Sequence, residues 1–530
     1  MLKSSTERGI GMANFLVGCD VGTGGAKAVV MAEDGVVRGS HFVEYPLVTA
    51  KGTTDCFSGA KAEQDPEWYW NAVADTIGQS ILSAKINPKE IRAICVSALS
   101  PACILVDEDR RPLQNAHIWM DRRATAECDW IRRTIGEDRV FALSANGIDP
   151  FYAATKLMWE RNNRPDLYKR TFKLQTASDF ICMKLSDRAV TDYSNASLIG
   201  IAFDIVRRRW DEGLIEELGL DPAKFPEAFP CDAVVGEVTR EAARRTGLAH
   251  GTPVFAGTVD CNASCLAGGA VDSGSTQFVM GTSGSLAVVH ENPVFTRRMI
   301  TVVHAADSRT KYTTVAALVS CGALIRYFRD NFGQLEQMAA ETSGRDAYAM
   351  LNDEAEKVSP GSDGLIALPY FMGERTPIWD PYARGVLFGM TLDHGRGHFV
   401  RALMEGVGYA LLENFECMHA SGLDMTLPLV LSEGGASSPL WRQIVADMLD
   451  VECAYAPSSK GAPVGDAVIA GVGAGLYKDY SVAKDWLELG EHTSPIAENH
   501  IRYRKFYAIY RALYPALEDQ FARLADALVP

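Results

Sequence analysis

The sequence predicts an α/β protein built from two related domains that face each other across a cleft. Three observations predict it. At 530 residues the chain exceeds what one hydrophobic core usually serves. Two strand–glycine turn–strand hairpins, Phe15 to Met31 and Gln277 to Val289, lie about 260 residues apart and share a Gly-Thr-x-Gly core. Strand-like runs alternate with segments of helical period along the rest of the chain.

The first hairpin opens the ordered part of the chain as FLVGCDVGTGGAKAVVMAEDGVV, with four glycines from Gly18 to Gly25. A dinucleotide fingerprint needs a helix directly after its glycines. Here Ala28 to Met31 is a Val-rich apolar run, Glu33-Asp34-Gly35 is a turn, and Val36-Val37 starts another strand. Lys27 also lacks the Ser or Thr that a P-loop places after it. The segment therefore reads as strand, glycine turn, strand, tight turn, strand. The amides of such a turn form a concavity for phosphate oxygens. Asp20 at its lip would repel a bare anion, so a Mg²⁺–phosphate pair is the natural occupant.

Between the hairpins, Glu63 to Ser83 reads as a helix starting after Asp65-Pro66, with Trp68, Val73, Ile77 and Ile81 on one face. Ile91 to Leu99 reads as a strand, Asp107 to Asp109 as a turn, and Leu157 to Tyr168 as a helix broken near Pro165. A Gly-Pro-marked turn before Pro253 sets the expected boundary, with residues 1–13 as a flexible tail, 14–252 as the first domain and 253–530 as the second. The second hairpin, QFVMGTSGSLAVV, has Met280 before its glycines and no acid where the first has Asp20.

A third glycine site follows the strand Leu427 to Leu431. Glu433 to Ala436 reads as a turn, Ser438 as an N-cap and Pro439 as the first helical residue, with Leu440, Ile444, Val445 and Met448 as the apolar face. Such a helix start suits a phosphate or ribose edge. The small residues of Gly465 to Leu476 point to close packing. The end of the chain spaces Phe506, Tyr510, Leu513, Leu517, Phe521 and Leu524 at helical intervals, the pattern of a core-facing helix.

Bulk properties restrict the partners. A net charge of -15 argues against nucleic acid and against an anionic membrane surface. The twelve cysteines are scattered, and the closest pair, Cys261 and Cys265, lacks zinc or redox spacing, so a reducing, cytoplasmic setting is expected. Residues 1–13 lack an apolar signal core, and no later segment has the length of a membrane span.

Six ordered motifs resemble the FGGY family of carbohydrate kinases. They are DVGTGGAKA at Asp20, YAATKLMW at Tyr152, AGTVDCNA at Ala256, MGTSGS at Met280, GERTPIWDPYARGVLFGM at Gly373 and SEGGASSPLWRQIVADML at Ser432. The resemblance implies two actin-like (RNase H-like) ATPase domains around a central cleft, ATP and Mg²⁺, a small-molecule sugar substrate, and room for a homodimer. It implies that Gly22, Thr23 and Gly24 lie against the terminal phosphates and that Asp20 helps hold Mg²⁺. Gly281, Thr282 and Ser283 would line the other side. Gly434, Gly435 and Ala436 would face the α-phosphate and nucleoside, and Gly322 would wall the adenosine.

Phosphoryl transfer to an alcohol needs a base at the attacking hydroxyl, and by the same resemblance that base is Asp260 at the end of the strand from Pro253. Its plainer alternative is a helix cap for the residues that follow. The stretch Ser97 to Ala102 carries neither the Gly-Gln-Met-His of xylulose kinases nor the Arg-Glu of glycerol kinases. Asp121, in a Trp-x-Asp-x-Arg pattern similar to that of pentulose kinases, and Tyr152 are the expected sugar contacts, with surface pairing to Arg122 or Arg123 the alternative for Asp121. A ketopentose of the xylulose type is the first expected substrate class and a glycerol- or erythritol-like polyol the second, with D-xylulose itself expected to be a poor substrate. A non-metabolic ATPase of the actin and Hsp70 type is the rival of another class.

Overall fold

Two seven-stranded mixed sheets organise the chain in the computed structural model, which describes residues 14–46, 48–49, 61–457 and 461–528. The expected tail, residues 1–13, lies outside the described residues.

In the first sheet Phe15–Gly22, Gly25–Ala32 and Val37–Glu44 form an antiparallel meander, and Ile91–Ala98 runs parallel to Phe15–Gly22 on its other side. In the second, Ser275–Met280, Gly284–His290 and Tyr312–Leu318 form the meander, and Thr426–Ser432 runs parallel to Ser275–Met280. Each sheet then adds a further parallel strand, Pro253–Phe255 in the first and Cys453–Tyr455 in the second. The repeated hairpins are thus the start of a repeated topology.

Strand Pro253–Phe255 was expected to open the second domain. It pairs instead with Ile91–Ala98 in the first sheet, and Thr258–Val259 does the same. Its apolar residues find their neighbours there, and the chain enters the second sheet only at Ser275.

The central strand Phe15–Gly22 is buried on both faces, which explains its nearly unbroken apolar run. On one side packs helix Pro66–Ala84, started by Asp65, whose side chain accepts from the Glu67 amide at 2.9 Å, and by Pro66 at its first position. Its buried stripe runs through Tyr69, Trp70, Val73, Ile77 and Ile81; Trp68 lies at the edge, half-buried.

On the other side packs helix Ala462–Gly473, contributed by the far end of the chain. Here the small residues are required by contact. A Cβ on Gly18 would stand 1.8 Å from the Pro463 carbonyl oxygen, and one on Gly465 would stand 2.0 Å from that of Ala263. The close approach carries Asp466 to Ser97, near the end of the interior strand Ile91–Ala98.

The closing helix, Ala497–Leu528, buries Tyr503, Tyr507, Tyr510, Leu513, Phe521 and Ala525. Phe506 and Leu517 are half-buried, whereas Leu524, expected in the core, is exposed because Ala525 takes the inward position. Among the described residues no helix is long and apolar enough to cross a membrane.

Candidate active site

The first turn has its acceptors spent. Gly22 O accepts from Tyr45 Oη, Thr23 O from Gln64 Nε2 at 2.8 Å, and Gly24 O from the Tyr45 amide at 3.2 Å. Engaging these carbonyls removes the groups that would repel a phosphate.

Strand register sets the acids. Asp20 lies beside Ser97, and Ser97 beside Thr258, across three adjacent strands, with Asp260 two residues further on. Ser97 Oγ stands 3.2 Å from Asp20 Oδ1 and donates to Asp466 Oδ2 at 2.8 Å. Burial, then the neighbouring Asp260 carboxylate, pushes the Asp20 carboxyl up to about 7, against the lowering effect of Ser97 and Lys27. Burial likewise pushes Asp260 up to about 6, against the Cys261 amide, which donates to it at 2.7 Å, and the Arg375 guanidinium. Asp466 is raised well above the usual carboxylate range by burial and by Asp20, and its Oδ1 has no hydrogen-bond partner.

Asp260 proves to be the first residue of helix Asp260–Ala267, so it ends a strand and starts a helix at once. The capping position is Val259, which leaves the Asp260 carboxylate bonded only to its neighbour's amide.

Around the second turn the packing is backbone to backbone. Gly322 N donates to Gly281 O at 2.9 Å, and Cys321 N and Ala323 N donate to Thr282 O at 3.0 and 3.1 Å. Strand Thr426–Ser432 leads into Glu433–Ala436, which is a single helical turn where an open turn was expected. Ser438 and Pro439 then start helix Pro439–Leu449 as anticipated, with Ser438 Oγ accepting from Trp441 N at 3.2 Å. Gly281, Thr282, Gly322, Gly434 and Gly435 all line one cavity of about 610 Å³. Ser283 lies in the turn itself and Ala436 is buried behind it.

Neither of the two expected sugar contacts lines the 610 Å³ cavity or a second, smaller one. Asp121 is wholly buried, and its oxygens accept from Arg123 Nε and Nη2 at 2.8 and 2.7 Å and from the Ala62 and Arg123 amides. It is not the surface charge of the alternative, and with its oxygens so engaged it holds the Trp119–Arg123 segment in place. Tyr152 is also fully buried, edge-on to Phe151.

A second, smaller cavity is lined instead by Trp119, Arg122, Phe151, Glu374, Arg375 and Trp379, among others. Trp119 Nε1 donates to Thr23 Oγ1 at 3.1 Å, which joins this cavity to the first glycine turn. The Arg375 guanidinium lies over the Trp119 ring, 5.0 Å from its centroid, and acts on the Asp260 carboxylate. Arg122 forms a two-bond pair with Asp149 at 2.5 and 2.9 Å. Of these, Glu374 and Arg375 had a readable signal: a charged pair inside the apolar run Ala367 to Trp379. Ser97 and Asp466 had only the weaker one of a polar residue in an apolar element.

Comparison with known proteins identifies the family. Residues 15–267 match the N-terminal domain, and residues 277–474 the C-terminal domain, of the FGGY family of carbohydrate kinases. The chain belongs to that family. It is an ATP-dependent phosphotransferase acting on a carbohydrate, and its architecture is the two-domain actin-like ATPase fold. It is 29% identical over 521 residues to a gluconokinase of Bacillus subtilis, covering 97% of this chain and 98% of that one. It is 26% identical to a xylulose kinase of the same organism, covering 95% and 97%. The crystal structure of a xylulose kinase from Rhodospirillum rubrum superposes with a TM-score of 0.84 at 27% identity, covering 96% of this chain and all of that one.

Proposed function

We propose that the protein transfers the γ-phosphate of ATP to a hydroxyl of a ketopentose of the xylulose type, with Asp260 as general base. The observation that carries this reading is the place of Asp260, on a helix start beside Asp20 and within reach of the Arg375 charge that lines the smaller cavity. The nucleoside occupies the 610 Å³ cavity, and its phosphates extend between the two glycine turns. Gly22, Thr23 and Gly24 meet them from one side and Gly281, Thr282 and Ser283 from the other; Gly434, Gly435 and Ala436 face the α-phosphate and nucleoside, with Gly322 at the adenosine.

Asp260 takes the hydroxyl proton as the oxygen attacks, while the Arg375 charge favours its ionised form and the Cys261 amide holds it in place. Trp119 and Phe151 cover apolar faces of the sugar and exclude water. Among the described residues no group of three His, Cys, Asp or Glu side chains is set to hold a metal by itself. The residues nevertheless fit Mg²⁺ shared with the phosphates: Asp20 and Asp466 form a crowded pair of acids around Ser97, with one oxygen unpartnered. A bound Mg²⁺ neutralises phosphate charge, and Asp20 is the side chain that would hold it.

Pro101, which stands where xylulose kinases place their histidine, is buried and offers no side-chain donor. Ser100 Oγ donates to Asn195 Oδ1 at 2.9 Å, so this stretch supplies no group to the cavity lining. A coupled ADP-release screen over D- and L-xylulose, the ribuloses, gluconate, glycerol and erythritol tests the substrate class. A ketopentose other than D-xylulose is expected to give the highest kcat/KM. Leading turnover of glycerol or erythritol would move the assignment to the polyols, and ATP hydrolysis indifferent to every sugar would overturn it.

A further inference from the structure

The loop Gly373 to Pro381 is held at many points, which makes its two unpaired groups informative. Thr376 Oγ1 accepts from the Ala317 amide at 2.8 Å, Thr376 O accepts from Asn414 Nδ2 at 3.1 Å, and Trp379 Nε1 donates to Arg298 O at 3.0 Å. Glu374 is 96% buried, and its Oε1 accepts from the Val319 and Arg375 amides, both at 2.8 Å. Its other oxygen, Oε2, has no hydrogen-bond partner, and neither has Arg375 Nε, although both atoms are shielded from solvent. A buried acceptor and a buried donor left open on adjacent residues are costly unless something completes them. Both residues line the cavity that also holds Trp119 and Arg122.

We infer that Glu374 and Arg375 read a hydroxyl of the sugar, Glu374 Oε2 accepting its proton and Arg375 Nε donating to its oxygen, so that this end of the substrate is a neutral alcohol. The inference rests on the sugar-kinase reading of the cleft. A hydroxyl both donates and accepts, and so satisfies both groups at once. A carboxylate only accepts; it would leave Glu374 Oε2 open and set a third negative charge beside Glu374 and Asp260. The pair therefore selects a neutral sugar over an aldonate, although a gluconokinase is among the relatives. The role of Glu374 is recognition; Arg375 adds recognition to the charge it already sets near Asp260.

The test compares Glu374→Gln and Arg375→Lys with the unaltered enzyme, using the best sugar of the ADP-release screen, its single-deoxy analogues and gluconate. Glu374→Gln keeps an oxygen for the Val319 amide but places a donor where Oε2 accepted. It is expected to raise the sugar KM by roughly tenfold or more, with ATP affinity measured by titration unchanged. One deoxy analogue should be poor with the unaltered enzyme and no poorer with the variant. Arg375→Lys retains charge near Asp260 and should show the same sugar-selective loss; it also serves if Glu374→Gln fails to fold. An unchanged sugar KM in the folded variants, equal losses on every analogue, or gluconate preferred over all neutral sugars would each overturn the inference while leaving the kinase reading intact. No sugar-dependent ADP release despite normal ATP binding would overturn the reading beneath it.

Discussion

The two glycine hairpins share a backbone and differ in charge. In the first, Asp20 pairs in register with Ser97 of the parallel neighbour; in the second, Val279 holds the same place opposite Ser432. Ser97 is spent on two carboxylates, whereas Ser432 accepts from Gln277 Nε2 at 3.1 Å. Duplication supplied two donor-rich turns, and the buried aspartates with raised pKa values gathered beside the first. Asp20, Asp260 and Asp466 crowd the first sheet, while glycines packed on backbone shape the cavity beside the second. Turnover, pH response and metal dependence should therefore follow the first side, and nucleotide affinity the second.

The largest expected effect is on the acidic side. Asp260→Asn should lower kcat by roughly two to four orders of magnitude, the usual share of a positioned base, with ATP affinity by titration nearly intact. Wild-type turnover in that variant would remove Asp260 from the mechanism. The pH profile is its companion. A base raised to about 6 must be deprotonated to act, so kcat/KM should be level above that value and fall as pH drops through it. A profile flat down to pH 4.5 would mean that another group takes the proton.

The second side should respond through affinity. A Cβ on Gly322 would stand 2.7 Å from the Gly281 carbonyl oxygen, so Gly322→Ala must shift the second turn. ATP binding should weaken by roughly tenfold, about 1.4 kcal/mol, while kcat at saturating ATP changes little. Gly24 and Gly434 have nothing within 4 Å of such a Cβ, and neither has a left-handed φ. Alanine at Gly24 or Gly434 should leave the melting temperature alone, so any loss of ATP affinity there measures blocked approach of the phosphates. Equal affinity in all three variants would break the contrast between the sides.

The glycine turns were legible because their meaning is local: a strand, a Gly-Thr turn and a strand are written in consecutive residues. Caps at Asp65 and Ser438 were legible for the same reason. The sugar side was not. Asp121 sits in a suggestive pattern, but only the fold shows that Arg123 and two amides use up its oxygens. Tyr152 is lost to the core by packing that no periodicity reveals. Glu374 and Arg375 act through partners more than fifty residues away in sequence, and Asp466 reaches the acids only because glycines let its helix approach the first sheet. The boundary at Pro253 failed likewise, since strand pairing with Ile91–Ala98 is a long-range choice.

The smallest effect sharpens the comparison through stability. The Asp20 carboxyl is raised from 3.8 to about 7 in the folded protein, so ionising it costs folding free energy. Below the unfolded value the group is protonated in both states and the cost vanishes; it grows as pH rises towards 7 and is full above. Asp20→Asn removes the ionisation. The ligand-free variant should melt a few degrees above the parent at pH 8 and level with it near pH 4. With Mg²⁺ and ATP present the order at pH 8 should narrow or reverse, because a cation offsets the repulsion from Asp260 and Asp466 in the parent, and asparagine binds it less well. Val279→Asn, its counterpart in the second hairpin, removes no charge and should show no pH-dependent gain. A gain at pH 8 that persists unchanged at pH 4 would trace the effect to packing, and the electrostatic asymmetry of the two hairpins would fall with it.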